Sequence, residues 1–89
     1  MLGRVKIVNK LGMHARASAK FVQVAKSFPC SIELGYVEDQ LVNGKSMMQI
    51  MTLAATQGSE LILQTHGEEA EAAYETIKQL IADRFGEPG

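Results

Sequence analysis

The period of the hydrophobic residues switches repeatedly between two and three-to-four along this chain, and that alternation narrows the possible folds more than any single residue. Val5 and Ile7 alternate with Arg4 and Lys6, which predicts a half-buried strand over about residues 3–8. Asn9 to Gly12 then turn the chain. From Ala15 to Phe28 the spacing lengthens, with Phe21, Val22, Ala25 and Phe28 forming the core face of a helix that Pro29 stops. Ile32, Leu34 and Tyr36 alternate again, Glu38-Asp39 offers a tight turn, and Gln40–Asn43 completes a hairpin. Ser46 is a natural N-cap for a short helix to about Ala54, closed by Gln57-Gly58. Leu61, Leu63 and Thr65 mark one face of a further strand, ended by Gly67. Ala70, Ala73, Tyr74, Ile77, Leu80 and Ile81 then lie on one helical stripe. Glu68, Glu69 and Glu71 suit the positive end of that helix and Arg84 its negative end. Gly86 and Pro88 read as a frayed tail. The order β-α-β-β-α-β-α predicts an α+β, two-layer open-faced sandwich: a four-stranded antiparallel sheet with three helices on one face.

The 89 residues are read as a single domain, 1–89, of ordinary globular composition, with 46% hydrophobic and 21% charged residues. A net charge of −1 and few aromatic residues argue against nucleic acid as the main partner. The lone cysteine, Cys30, can form neither an internal disulfide nor a zinc site and reads as a small buried hydrophobe. The first residues lack the continuous apolar stretch of a signal peptide, and no window is long enough for a membrane span, so a cytoplasmic protein is expected.

Asn9 to Ser18 carry the chemistry. His14 falls between a glycine turn and a helix start, with Arg16 two residues on. A helix start offers unpaired N–H groups and the positive end of the macrodipole, so an imidazole there could hold a phosphoryl group whose oxygens the amides and a guanidinium neutralise. Taken alone, such a histidine is more often an indifferent surface cap, so the motif needs support from elsewhere in the chain. Neutral imidazole is a good nucleophile near pH 7.

Three separated blocks bear on that choice: Leu11-Gly12-Met13-His14-Ala15-Arg16, Asn43-Gly44-Lys45-Ser46-Met47-Met48 and Thr56-Gln57-Gly58-Ser59-Glu60. In sequence and spacing they resemble the HPr family, the histidine-containing phosphocarriers of the bacterial phosphotransferase system. The resemblance covers essentially the whole chain. It implies that His14 carries the phosphoryl group on Nδ1, that Arg16 steadies the phosphate, and that Ser46 is a site for regulatory phosphorylation by an ATP-dependent HPr kinase/phosphorylase. It further implies docking on enzyme I and on enzyme IIA domains. Ala17 stands where family members commonly have proline, and Leu11 where many have a small or polar residue.

Met47, Met48 and Met51 recur at helical spacing beside Ser46, while Ile50, Leu53 and Ala54 are expected to supply the buried face. The methionines are therefore expected to point outward as an adaptable docking patch flanked by Arg16, Lys20, Gln23 and Ser27. No metal, cofactor or membrane insertion is expected, and a monomer is. His66 is read as exposed and without a role in transfer. A nitrogen-branch regulatory phosphocarrier and a non-catalytic interaction module of the same fold are the competing readings. Retention of His14 and Arg16 weighs against the second.

Overall fold

A computed structural model describes all residues, 1–89. Four strands, β1 (Leu2–Lys6), β2 (Ser31–Gly35), β3 (Val42–Asn43) and β4 (Glu60–His66), form one antiparallel sheet in the order β1-β4-β2-β3. Val5 lies opposite Leu61, and Leu63 opposite Leu34. Three helices, α1 (Ala15–Lys26), α2 (Met47–Thr52) and α3 (Ala70–Ala82), complete the expected open-faced sandwich. Phe21 of α1, Ile50 of α2 and Ile77 and Ile81 of α3 are fully buried in the same core as Leu34, Leu61 and Leu63. Each such side chain contributes about 1.5–3 kcal/mol by leaving water.

The helices form where periodicity places them, but several ends differ. β1 occupies residues 2–6 rather than 3–8, because Ile7 and Val8 already turn toward the 58–59 segment, with Ile7 N–H donating to Ser59 O and Gly58 N–H to Ile7 O. α1 ends at Lys26, two residues short of Phe28: Ser27 is the C-cap, and Pro29 disfavours helical dihedrals at the residue before it. Tyr36 lies beyond β2; it is exposed, and its hydroxyl donates to Leu53 O at 2.8 Å. The turn at Glu38-Asp39 is present, but the returning strand shrinks from Gln40–Asn43 to Val42–Asn43. α2 stops at Thr52, and the break is made by Ala54 at φ +47° rather than by Gly58. Ala54 is exposed and Ala55 takes the buried position expected of it. Arg84 falls past the end of α3, in a 3₁₀ turn (Arg84–Gly86), at φ +58°.

The larger departure is the tail. Residues 85–89 do not fray: Phe85 is fully buried, Lys20 Nζ donates to Phe85 O at 2.7 Å, and Lys10 N–H donates to Gly89 O at 2.9 Å. A buried aromatic just beyond α3 turns the last residues back across the start of α1.

Candidate functional site

The loop between β1 and α1 positions His14, and its shape depends on Gly12. At φ +67° this residue lies where only glycine is unstrained, and a Cβ there would come within 2.5 Å of Ala55 O and 2.9 Å of Thr56 Cα. This close approach allows Met13 N–H to donate to Ala55 O at 2.9 Å. Ser18 Oγ–H donates to Met13 O at 2.9 Å, and Gln57 Nε2–H to Val8 O at 3.2 Å. Residues 55–59 thus buttress the histidine loop, which gives the third sequence block a structural task.

His14 is the N-cap of α1, with extended dihedrals. Its Nδ1 accepts the Arg16 N–H at 3.3 Å. The Ala15 and Ala17 amides donate to no protein acceptor, so the helix start keeps open donors beside Nδ1. The other ring nitrogen, Nε2, contacts Glu87 Oε2 of the folded-back tail in the chain's one ion-pair contact. One nitrogen facing a donor and the other an acceptor select the Nε2–H tautomer. Side-chain exposure is 28% for His14 and 11% for Glu87, so the ring remains reachable while the carboxylate is largely covered.

Asn9, read from sequence as a turn residue, is fully buried. Its Nδ2 donates to Gly12 O at 2.8 Å and to Glu87 Oε1 at 3.0 Å, whereas its Oδ1 has no partner. The residue is held for its donors, and they link the loop to the tail. The Asn9 hydrogen bond is the largest influence holding the Glu87 carboxyl below the usual carboxylate range. Contact with His14 and the charge of Lys20 act in the same direction, against an opposing push from desolvation.

Lys10, Leu11, Ala15, Arg16, Pro88 and Gly89 join His14 and Glu87 around an open groove of about 650 Å³. Arg16 is exposed and makes no ion pair. Lys20 lies one turn further along α1, its ammonium on the tail. Ser46 caps α2, with Oγ accepting Gln49 N–H at 3.2 Å while Gln49 Oε1 accepts Asn43 N–H at 2.9 Å. Met48 and Met51 are exposed, at 80% and 42%. Met47 departs from expectation: it is half-buried and packs against the core, because it lies three positions before the fully buried Ile50 and so shares its face of α2. Leu11, 68% exposed at the groove, is an apolar surface residue that the sequence reading treated only as a departure from pattern. No three or more His, Cys, Asp or Glu side chains are gathered as for a metal ion, and no helix is long and apolar enough to cross a membrane.

A four-stranded open-faced sandwich with a histidine capping its first helix, an arginine two residues on and open amides between them has the build of a small phosphoryl carrier. A family model described as the PTS HPr component phosphorylation site matches residues 3–83. Phosphocarrier protein HPr of Pseudomonas putida is 48% identical over 83 residues, covering 93% of this chain and 92% of that one. That of Pseudomonas aeruginosa is 47% identical over the same shares. The crystal structure of HPr-C-His from Thermoanaerobacter tengcongensis superposes with a TM-score of 0.92 at 37% identity, over 100% of this chain and 99% of that one. The chain belongs to the HPr family of phosphocarriers of the phosphotransferase system.

Proposed function

We propose that His14 accepts a phosphoryl group on Nδ1 from phosphorylated enzyme I and passes it to enzyme IIA domains. The observation that carries this reading is the orientation of the ring: its Nδ1 lone pair faces the N-terminus of α1, toward the Arg16 N–H, and Arg16 lines the same groove. Phosphoryl transfer asks for in-line approach and for donors on the equatorial oxygens. The Ala15 to Ala17 amides and Arg16 can supply those donors without a metal. The N–P bond so formed is labile enough to be passed on, which suits a relay.

Ser46 serves a different task. A phosphate on its Oγ would meet the N-terminal amides of α2, so little refolding is needed, and the added charge would lie beside Met48. We assign Ser46 to regulation by a kinase of the HPr kinase/phosphorylase type. Met47, Met48, Met51 and Lys20 are assigned to docking, Met48 and Met51 by exposure and Met47 by supporting them from the core side. The carrier is read as a cytoplasmic monomer that needs no cofactor.

Incubation with phosphoenolpyruvate and enzyme I tests the relay. Acid-labile phosphate is expected on the wild-type protein and not on His14→Ala; absence of label on the wild type refutes the reading. An ATP-dependent, acid-stable label lost in Ser46→Ala tests the regulatory site, and Ser46→Asp is expected to slow labelling of His14.

A further inference from the structure

We propose that Glu87 is a positioning residue for His14: its carboxylate, clamped by Asn9, holds the imidazole in the Nε2–H tautomer and faces the charge that the ring acquires on phosphorylation. The proposal rests on the reading that His14 carries the phosphoryl group. It concerns a residue outside the 3–83 segment matched by the family model.

Three observations converge on Glu87. Its Oε2 contacts Nε2 of His14, the ring nitrogen turned away from the helix N-terminus. Its Oε1 accepts Asn9 Nδ2–H at 3.0 Å, and Asn9 is fully buried and fixed by its second bond, to Gly12 O. The backbone on either side is tied down, by Lys20 on Phe85 O at 2.7 Å and by Lys10 N–H on Gly89 O at 2.9 Å. The carboxylate is thus held at two points and the backbone on either side of it at two more. The arrangement follows the logic by which an acceptor on one histidine nitrogen fixes what the other can do. The low position of the Glu87 carboxyl, set chiefly by Asn9, keeps it anionic at neutral pH.

The consequence for the transfer step is in the proton count. As the Nδ1 lone pair forms a bond to phosphorus, the bond from phosphorus to the donor breaks, and its electron pair stays with the donor. The ring keeps the Nε2 proton and becomes cationic, so no proton has to leave. Glu87 faces that new charge. In the onward step a nucleophile of the acceptor bonds to phosphorus, the N–P electron pair returns to Nδ1, and the ring leaves as the same neutral Nε2–H tautomer.

Ring ¹⁵N NMR of the unphosphorylated protein reads the tautomer with no donor present. The chain has two histidines, so His14→Ala assigns the His14 signals. Wild type is expected to show protonated Nε2 and unprotonated Nδ1 once the ring is neutral. Glu87→Ala is expected to mix the two tautomers and to slow phosphoryl acceptance about three- to tenfold, the step between a charge-assisted hydrogen bond and none at a partly open site. Glu87→Gln, whose Oε1 still accepts from Nε2–H, is expected to restore the single tautomer and only part of the rate. A single unchanged tautomer in Glu87→Ala overturns the proposal. So does faster acceptance in that variant, which would make the tail a shield. If the wild-type protein takes no label, the relay reading fails while the NMR result still decides what Glu87 does to the ring.

Discussion

Replacing Gly12 with alanine tests whether the histidine loop depends on its contact with residues 55 and 56. The new methyl would lie 2.5 Å from Ala55 O and 2.9 Å from Thr56 Cα, both backbone atoms that cannot rotate away. At φ +67° an L-residue costs about 1–2 kcal/mol over glycine. Separating the two segments strains or breaks the Met13–Ala55 hydrogen bond, adding about 1 kcal/mol. Gly12→Ala should therefore lose about 2–3 kcal/mol, or roughly 8–24 °C in Tm for a domain of this size. Gly58→Ala is the control: its φ is +92°, but a Cβ there meets nothing within 4 Å. It should lose only the backbone share, about 1–2 kcal/mol. Urea unfolding gives both values, and phosphoryl acceptance is then compared at a temperature where both variants are folded. Gly12→Ala should be slower by about 10- to 100-fold, because misplacing a reacting group by an ångström has that effect, while Gly58→Ala should keep the wild-type rate. Equal stability of the two variants together with a normal rate in Gly12→Ala would refute the reasoning.

Three further outcomes are expected. Ser46→Ala removes the cap from a six-residue helix and should cost about 1 kcal/mol, with faster amide exchange confined to α2; unchanged exchange at Gln49 would count against the cap. Because the folded pKa of Glu87 is lowered, the tail's hold on the site should be complete above the ordinary carboxylate range and be lost as pH falls through that lowered value. Glu87 side-chain shifts followed against pH should titrate below those of a free glutamate, with residues 87–89 loosening in step. Met48→Ala, at an 80% exposed position, should change stability by no more than about 0.5 kcal/mol yet raise the KM for enzyme I at least about threefold; an unaltered KM would remove Met48 from the docking surface.

What could be read ahead of the structure was what repeats. The stripe from Ala73 to Ile81 and the alternation in Ile32 and Leu34 encode burial by period, and both elements form where expected. Element ends depend on single dihedrals, and no pattern marks Ala54, four residues ahead of Gly58, as the first residue to take a positive φ after α2. The site divided in the same way. His14 and Arg16 stand in a recognisable local motif, whereas Asn9 and Glu87 are 78 residues apart and meet only because Phe85 is buried. A lone aromatic just past a helix, followed two residues later by a carboxylate, was the available signal. The glycine and proline around it read as release instead. Met47 shows the same limit: three methionines at helical spacing look alike until the packing of the helix on the core separates them.

The return of the tail across α1 also bears on how the protein is handled. Gly89 and Pro88 line the groove that holds His14, so a purification handle or fluorophore joined after Gly89 would start inside the reactive groove. Such a handle is expected to disturb the Lys10–Gly89 hydrogen bond, two residues from the Glu87 side chain that contacts the ring. Met1 lies at the far end of β1 from that loop, its amino group donating to Thr65 O at 2.8 Å. A handle on that side starts away from the groove, so phosphoryl-acceptance rates measured with the two arrangements are expected to differ, the one at Met1 reflecting the undisturbed loop.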